Sequence, residues 1–291
     1  MTLCLIYGNI TNIHLNKIVN NMLSFNQIIQ NPETRKFNIP TLYSEMLIAK
    51  TTKNGRIYSN QKTNKSYISV TTFLSKTSPS TKKSLDRWRK RVGVDEANKI
   101  TKKATNRGNK LHKAFEHWLK NELIPAHFWE SISRITIENC GIETIEEIQS
   151  SDYKNELMQF RNIQSFFNEE IETLLGNELS LHSDKLKLAG QLDICYKNYN
   201  GKIVLADLKT TSKPKKDIYL IDHKIQLTIY ALMLYELFNI EVDYCMNYYC
   251  YSDGTNEEKI FNPYDYLELL ETRHNNYFKN LSWEEINNAN V

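Results

Sequence analysis

The chain has 291 residues, 41% apolar and 24% charged, with a net charge of +3, enough to bury a sizeable core as one large domain or one domain with a helical lobe. No run of about 18 apolar residues occurs, which excludes a helical membrane span, and residues 1–24 carry one Lys and no Arg, unlike a secretory or transit leader, so a cytoplasmic setting is expected. The charge is uneven: residues 76–113 hold 13 Lys/Arg against 3 Asp/Glu, and residues 114–176 hold 4 against 12, an asymmetry that points to a polyanionic partner.

Residues 1–54 read as an N-terminal extension with one or two short helices or irregular structure. Arg56–Ser59 and Ser66–Val70 are short strands around a polar turn. Ser69-Val70-Thr71-Thr72 then supplies hydroxyl caps for a helix entering at Phe73-Leu74. Residues 81–92 and 94–121 read as helices with periodic apolar positions at Leu85, Trp88 and Val92, then Ala97, Ile100, Ala104, Leu111, Phe115 and Leu119. Gly108 marks a candidate break in the second. Residues 125–150 are mixed, and a long helix is expected over 151–175. The pattern then changes to strands at 178–182, 186–196 and 202–208, with Asn200-Gly201 as a tight hairpin turn. A helix over 222–238, a strand over 242–251 and a final helix over 263–280 complete the reading. The order predicts an α/β (α+β) core with a central mixed sheet flanked by helices, divided as a 1–54 extension, a basic helical lobe over 55–176 and the core over 177–291.

The chemistry concentrates in one hairpin. Residues two apart on a strand share a face, so Asp207 and Lys209 point together while Ala206 and Leu208 pack. On the preceding strand Asp193 points away from Leu192 and Ile194. Adjacent strands lie about 5 Å apart, so Asp193 and Asp207 can converge on one cation. Two carboxylates, a main-chain carbonyl and waters make a hard oxygen site suited to Mg²⁺, with Mn²⁺ as a substitute. Such an ion acidifies a bound water and offsets phosphodiester charge, and Lys209 can orient or deprotonate the water and stabilise the developing anion.

Three further features lie at consistent positions. Gln226 and Tyr230 are four apart on the helix after the hairpin and so share a face. Arg107-Gly108 is followed by His112 and Glu116, again four apart. Glu178 opens the strand run before Leu188-Ala189-Gly190. Together RGxxxH, GxxD, DxK and QxxxY, in that order, resemble the RecB-like branch of the PD-(D/E)XK nuclease superfamily over about residues 55–251. The segment 69–116, through Ser69-Val70-Thr71-Thr72, Trp88-Arg89-Lys90-Arg91, Arg107-Gly108 and His112, is also similar to phage exonucleases and the mitochondrial genome maintenance exonuclease.

That resemblance implies Asp193, Asp207 and the Leu208 carbonyl as metal ligands, with His112 completing the shell. It implies Lys209 as the catalytic lysine, and Gln226 and Tyr230 as residues that position substrate or strands. Glu178 and Glu116 are accessory candidates. The basic segment supplies candidate DNA contacts at Lys82, Lys83, Arg87, Arg89, Lys90, Arg91, Lys102, Lys103 and Arg107, with Trp88, Phe73 and Tyr67 available to stack bases. Some such nucleases carry an iron–sulfur cluster on four cysteines. The five cysteines here, at 4, 140, 195, 245 and 250, lack CxxC spacing, so free thiols and no cluster are expected. The expected activity is a Mg²⁺-dependent DNA exonuclease acting on single strands or free ends in phage-type replication, recombination or repair. An endonuclease of the same fold and a non-catalytic DNA-binding recombination protein are the alternatives.

Overall fold

The computed structural model describes residues 37–43, 45–122 and 152–279. Strands β1 (Leu47–Thr52), β2 (Gly55–Asn60) and β3 (Lys65–Ser69) form an antiparallel meander. Helices α1 (Val70–Thr77), α2 (Pro79–Val92), α3 (Val94–Leu119) and α4 (Asp152–Glu170) follow. Strands β4 (Ile171–Ser183), β5 (Leu188–Asn198) and β6 (Ile203–Thr211) pair antiparallel in turn. The crossover helix α5 (Ile221–Phe238) leads to β7 (Tyr244–Tyr251), parallel to β6, and β8 (Asn256–Phe261) pairs antiparallel at the edge before α6 (Leu267–Lys279). All eight strands belong to one mixed sheet, and the expected helix-flanked α/β core is what forms. Among the described residues no helix is long and apolar enough to cross a membrane.

Two cores cover the two faces of the sheet. On one, Leu111, Phe115 and Leu119 of α3 and Phe160, Ile163 and Phe167 of α4 pack on Ile194, Tyr196, Val204, Ala206 and Leu208. On the other, Val70 and Phe73 of α1 and the apolar α5 pack on Leu188, Leu192, Cys195 and Leu205. Fully burying each such side chain stabilises by about 1.5–3 kcal/mol. Nine residues of α5 between Ile225 and Leu234 are buried, because α6 and the turn before it cover the side that faces away from the sheet. Cys195, Cys245 and Cys250 are buried free thiols, the first pushed up to about 12 by burial; Cys4 and Cys140 lie outside the described residues.

Several elements depart from expectation. Within 37–54, where helix or irregular structure is expected, the chain is extended and forms β1, an edge strand with only Leu47 buried. Likewise β8, unforeseen, buries only Phe261; neither strand has the apolar alternation that reveals one in sequence, and both are held by backbone pairing. The helix expected to reach residue 175 stops at Glu170, since Ile171–Leu175 pair with β5 and bury Ile171 and Leu174. Gly108 does not break α3, which runs unbroken from Val94 to Leu119; a Cβ there would meet Thr210 Oγ1 at 3.1 Å, so the glycine lets α3 approach the end of β6. The hairpin turn has positive φ only at Gly201. Gly201 N–H bonds the Asn198 carbonyl and Asn198 N–H bonds the Lys202 carbonyl, both at 2.9 Å. This is a type I turn closed by a left-handed glycine, not the two-residue turn in which both central residues have positive φ.

One topological feature positions everything that follows. β4 lines one edge of β5 along its length, while the other edge is shared. β3 pairs there at Leu188 and Ala189, and β6 pairs from Ile194 to Lys197. Residues 190–193 lie in the split between the two neighbours.

Candidate active site

Asp193 sits at the closed end of that split. The β5–β6 ladder ends at Ile194↔Ala206, so the next residues, Asp193 and Asp207, face each other where the strands part. Asp193 bridges the parting itself: its Oδ2 accepts the Leu208 N–H at 2.8 Å. Its own carbonyl accepts from Asn177 Nδ2 at 3.1 Å. The face alternation of β5 also changes here. Leu192 joins one core and Ile194 the other, although residues two apart on a regular strand share a face. Opposite, between the pairs Asn177↔Ile194 and Leu179↔Leu192, Glu178 takes a left-handed φ of 49° within β4. A non-glycine residue held there costs about 1–3 kcal/mol.

These distortions gather three ligand-type side chains. His112 of α3, Glu178 of β4 and Asp193 of β5 offer ligand atoms within 4.8 Å of one another, and His112 Nδ1 stands 3.3 Å from Asp193 Oδ2. Burial works against the His112 imidazolium, but Asp193 outweighs it, with help from Asp207, and lifts the group to about 9. Burial and then Asp193 push Glu178 up to about 7. Against its own burial, Asp193 is held below the usual carboxylate range by His112, Lys209 and the Leu208 N–H. The trio thus competes for protons, as closely packed ligands do when a cation would serve them better. One imidazole and two carboxylates fit a divalent cation.

Asp207 adjoins this cluster, 2% exposed. Burial raises it to about 6 and repulsion from Asp193 adds to this, despite Lys209. Its Oδ2 lies against Lys209 Nζ as an ion pair without a well-angled hydrogen bond. Lys209 donates to Gln226 Oε1 at 3.2 Å, and Tyr230 follows Gln226 one helical turn on along the buried stretch of α5. Tyr230, 2% exposed, reaches over Gly190, where a Cβ would stand 2.5 Å from the hydroxyl oxygen and 2.8 Å from Cε1. The structure therefore sets Asp207, Lys209, Gln226 and Tyr230 in a row that ends on the glycine of GxxD. Gly190→Ala should destabilise the fold by about 1–3 kcal/mol through overpacking, because a buried ring cannot yield; a melting temperature equal to the parent's would contradict this packing.

The other candidates fall elsewhere. Glu116 is occupied by Lys113 at 2.5 Å and Lys120 at 2.6 Å, which hold it low against burial. Phe73 and Tyr67 are 0% and 3% exposed and so cannot stack on bases; Phe73 packs in the core under α1 and α5, and Tyr67 in a small separate cluster with Leu47, Tyr58 and Ala189. Trp88 is half-buried, while Leu85 and Ile100 are 48% and 43% exposed and Ala97 is buried: much of the apolar stripe of α2 and early α3 is uncovered. Arg87, Lys90, Arg91, Lys102 and Lys103 are exposed on the same helices. Arg89 donates to Asn98 at 2.5 Å. Arg107 is half-buried and donates to Ser252 Oγ at 2.7 Å, tying α3 to the β7–β8 turn. The side chains of Lys82 and Lys83 lie outside the described residues.

Sequence reasoning missed Asn247, His223 and Tyr249. Asn247 pairs in register with Asp207, is 0% exposed, and neither amide atom has a hydrogen-bond partner among the described residues. A lone Asn within Tyr244–Tyr251 was the available signal. An unpaired buried polar group costs about 1–3 kcal/mol, so Asn247→Leu should raise the melting temperature while lowering any activity of the site; a variant both less stable and fully active would refute this. His223, one turn before Gln226, meets the Tyr249 hydroxyl at 2.8 Å. Burial, with the charges of Lys209 and Lys215, pushes it down to about 3.

A helix-flanked mixed sheet, split to hold a carboxylate–imidazole cluster beside an acid-x-Lys strand, is the layout of a hydrolytic nuclease. A family model of the PD-(D/E)XK nuclease superfamily matches residues 85–290, more than half of the chain, and the chain belongs to that superfamily. Among curated proteins it is similar to the CRISPR-associated exonuclease Cas4 of Saccharolobus solfataricus, 38% identical over 64 residues, which cover 22% of this chain and 31% of that relative. The match thus spans about a third of the relative's length. The solved structure of SSO0001 matches 60% of this chain and 84% of its own at 18% identity, with a TM-score of 0.26.

Proposed function

We propose that the protein is a Mg²⁺-dependent DNA exonuclease that degrades single strands or free ends, with Mn²⁺ able to substitute. The observation that carries this is the meeting of His112, Glu178 and Asp193 within 4.8 Å, next to the Asp207–Lys209 pair. A divalent cation held there would neutralise phosphate charge and acidify a water. Asp207 would complete the donor set, and the Leu208 peptide, already at Asp193, would contribute its carbonyl. Lys209 has one carboxylate and one amide to fix it, so its ammonium is available to a phosphate oxygen as charge develops. Gln226 keeps that ammonium in place, while Tyr230 packs on Gly190. Supporting free ends and single strands are the exposed basic helices α2 and α3, the similarity to phage-type exonucleases and the exonuclease name of the Cas4 relative. The same similarity supports a role in phage-type replication, recombination or repair, in a cytoplasmic setting.

The test is digestion of end-labelled single- and double-stranded DNA with Mg²⁺ or Mn²⁺ beside a closed circle. An exonuclease shortens the linear strands and spares the circle. Cutting of the circle would transfer the assignment to an endonuclease, and no cleavage of any substrate would remove it.

A further inference from the structure

The segment that leaves the active-site strand has a composition the catalytic chemistry does not use. After Thr211 the chain runs Ser212-Lys213-Pro214-Lys215-Lys216-Asp217-Ile218-Tyr219, all exposed. Ile218 and Tyr219 are 67% and 58% exposed, so folding gains little from either. Lys213, Lys215 and Lys216 make no ion pair among the described residues, while the one acid, Asp217, is drawn aside to Lys259 at 3.7 Å.

The tip is nevertheless held in shape. Tyr219 N–H bonds the Lys216 carbonyl and Leu220 N–H the Asp217 carbonyl, both at 2.9 Å. Leu220 is 3% exposed and packs with Tyr249 and Tyr251. The segment starts three residues beyond Lys209 and ends two residues before α5. Tyr249, which pairs in register with Lys209, packs with Leu220 at the end of the tip and meets His223 at 2.8 Å. A preorganised, cationic tip with an aromatic face, next to a nuclease site, meets the needs of single-stranded nucleic acid: ammoniums for phosphates and a ring for a base.

We propose that Lys213–Tyr219 is a binding tip for the single strand that enters the active site, with Lys213, Lys215 and Lys216 on its phosphates and Tyr219, beside Ile218, stacked on a base. This rests on the nuclease reading and adds contacts from a chain segment other than the basic helices α2 and α3.

The test uses the full chain in EDTA and a labelled oligo-dT, with anisotropy measured over a salt series. The triple variant K213A/K215A/K216A should bind about tenfold or more weakly. Its log K against log salt slope should flatten by about 2, as expected for three lost phosphate contacts on a single strand. Tyr219→Ala should weaken binding several-fold and Tyr219→Phe should restore it. Unchanged affinity and slope in the triple variant, or a defect seen on duplex alone, would overturn the proposal. A parent protein that binds the oligomer but cleaves nothing with Mg²⁺ or Mn²⁺ would defeat the nuclease reading and leave the tip standing; a parent that does not bind would defeat the tip.

Discussion

Asp207→Asn should abolish cleavage and leave the protein at least as stable as the parent. The carboxylate is buried, lacks a well-angled donor at Oδ2, and is raised to about 6 by burial and Asp193 even with Lys209 counted. An acid whose folded value lies above its ordinary 3.8 opposes folding once it ionises. That penalty is complete above about pH 6. Asn imitates the neutral form and removes it. The same charge is what the proposed reaction needs: a loss of about 4 kcal/mol of charge stabilisation corresponds to about 10³ in rate. Cleavage of end-labelled DNA and thermal melting at pH 8 measure the two effects. A variant that keeps more than about a tenth of the parent rate contradicts the assigned role. One that is inactive but strongly destabilised leaves activity explained by misfolding and contradicts the electrostatic account.

The second large effect is a coupling of stability, protons and metal. In EDTA the melting temperature should fall as pH rises from about 5 to about 9, and Mg²⁺ or Mn²⁺ should remove most of that fall. His112 is about 9 in the folded protein against an ordinary 6.5, so its stabilisation is fully present below the lower value and lost as pH climbs through the higher. Glu178, about 7 against 4.5, and Asp207, about 6 against 3.8, are acids with raised values, and their ionisation opposes folding over the same interval. Asp193, held low, acts only at more acidic pH. These three groups push the same way, while His223, pushed down to about 3 from an ordinary 6.5, works against them below about pH 6.5, so the fall is steepest above that value. A cation requires neutral His112 and ionised carboxylates, so it should bind more tightly as pH rises and release protons as it binds. Titration calorimetry in buffers of different ionisation enthalpy counts those protons. A melting temperature that rises with pH in EDTA, or a cation that binds with no proton release, would contradict this account of the site.

The acid-x-Lys hairpin, the QxxxY helix and the His112 helix are legible because each depends on local spacing, of two residues on a strand or four on a helix. The helix-flanked sheet is legible for the same reason over 178–251, where apolar periods are strong. β1 and β8 are not, since almost all their stabilisation is backbone pairing to a neighbour that sequence does not identify. Ile171–Leu175 suits helix or strand equally, and the edge of β5 decides between them. Phe73 and Tyr67 carry the chemistry of base stacking, but only packing shows that they face inward.

Residue identity alone determined which groups could do chemistry here: Asp193, Asp207, Lys209 and His112 are the titratable and ligating side chains at the motif positions, whatever the chain does around them. Tertiary structure decided how they are distributed. Across β5 from Glu178, whose left-handed backbone in β4 brings it into the ligand cluster, the split between β3 and β6 opens beside Asp193. It sets Asp207 against Lys209, and leaves Asn247 buried beside it with its amide unpaired. These outcomes depend on non-local strand register and on desolvation, and neither is encoded in the spacing of any one segment.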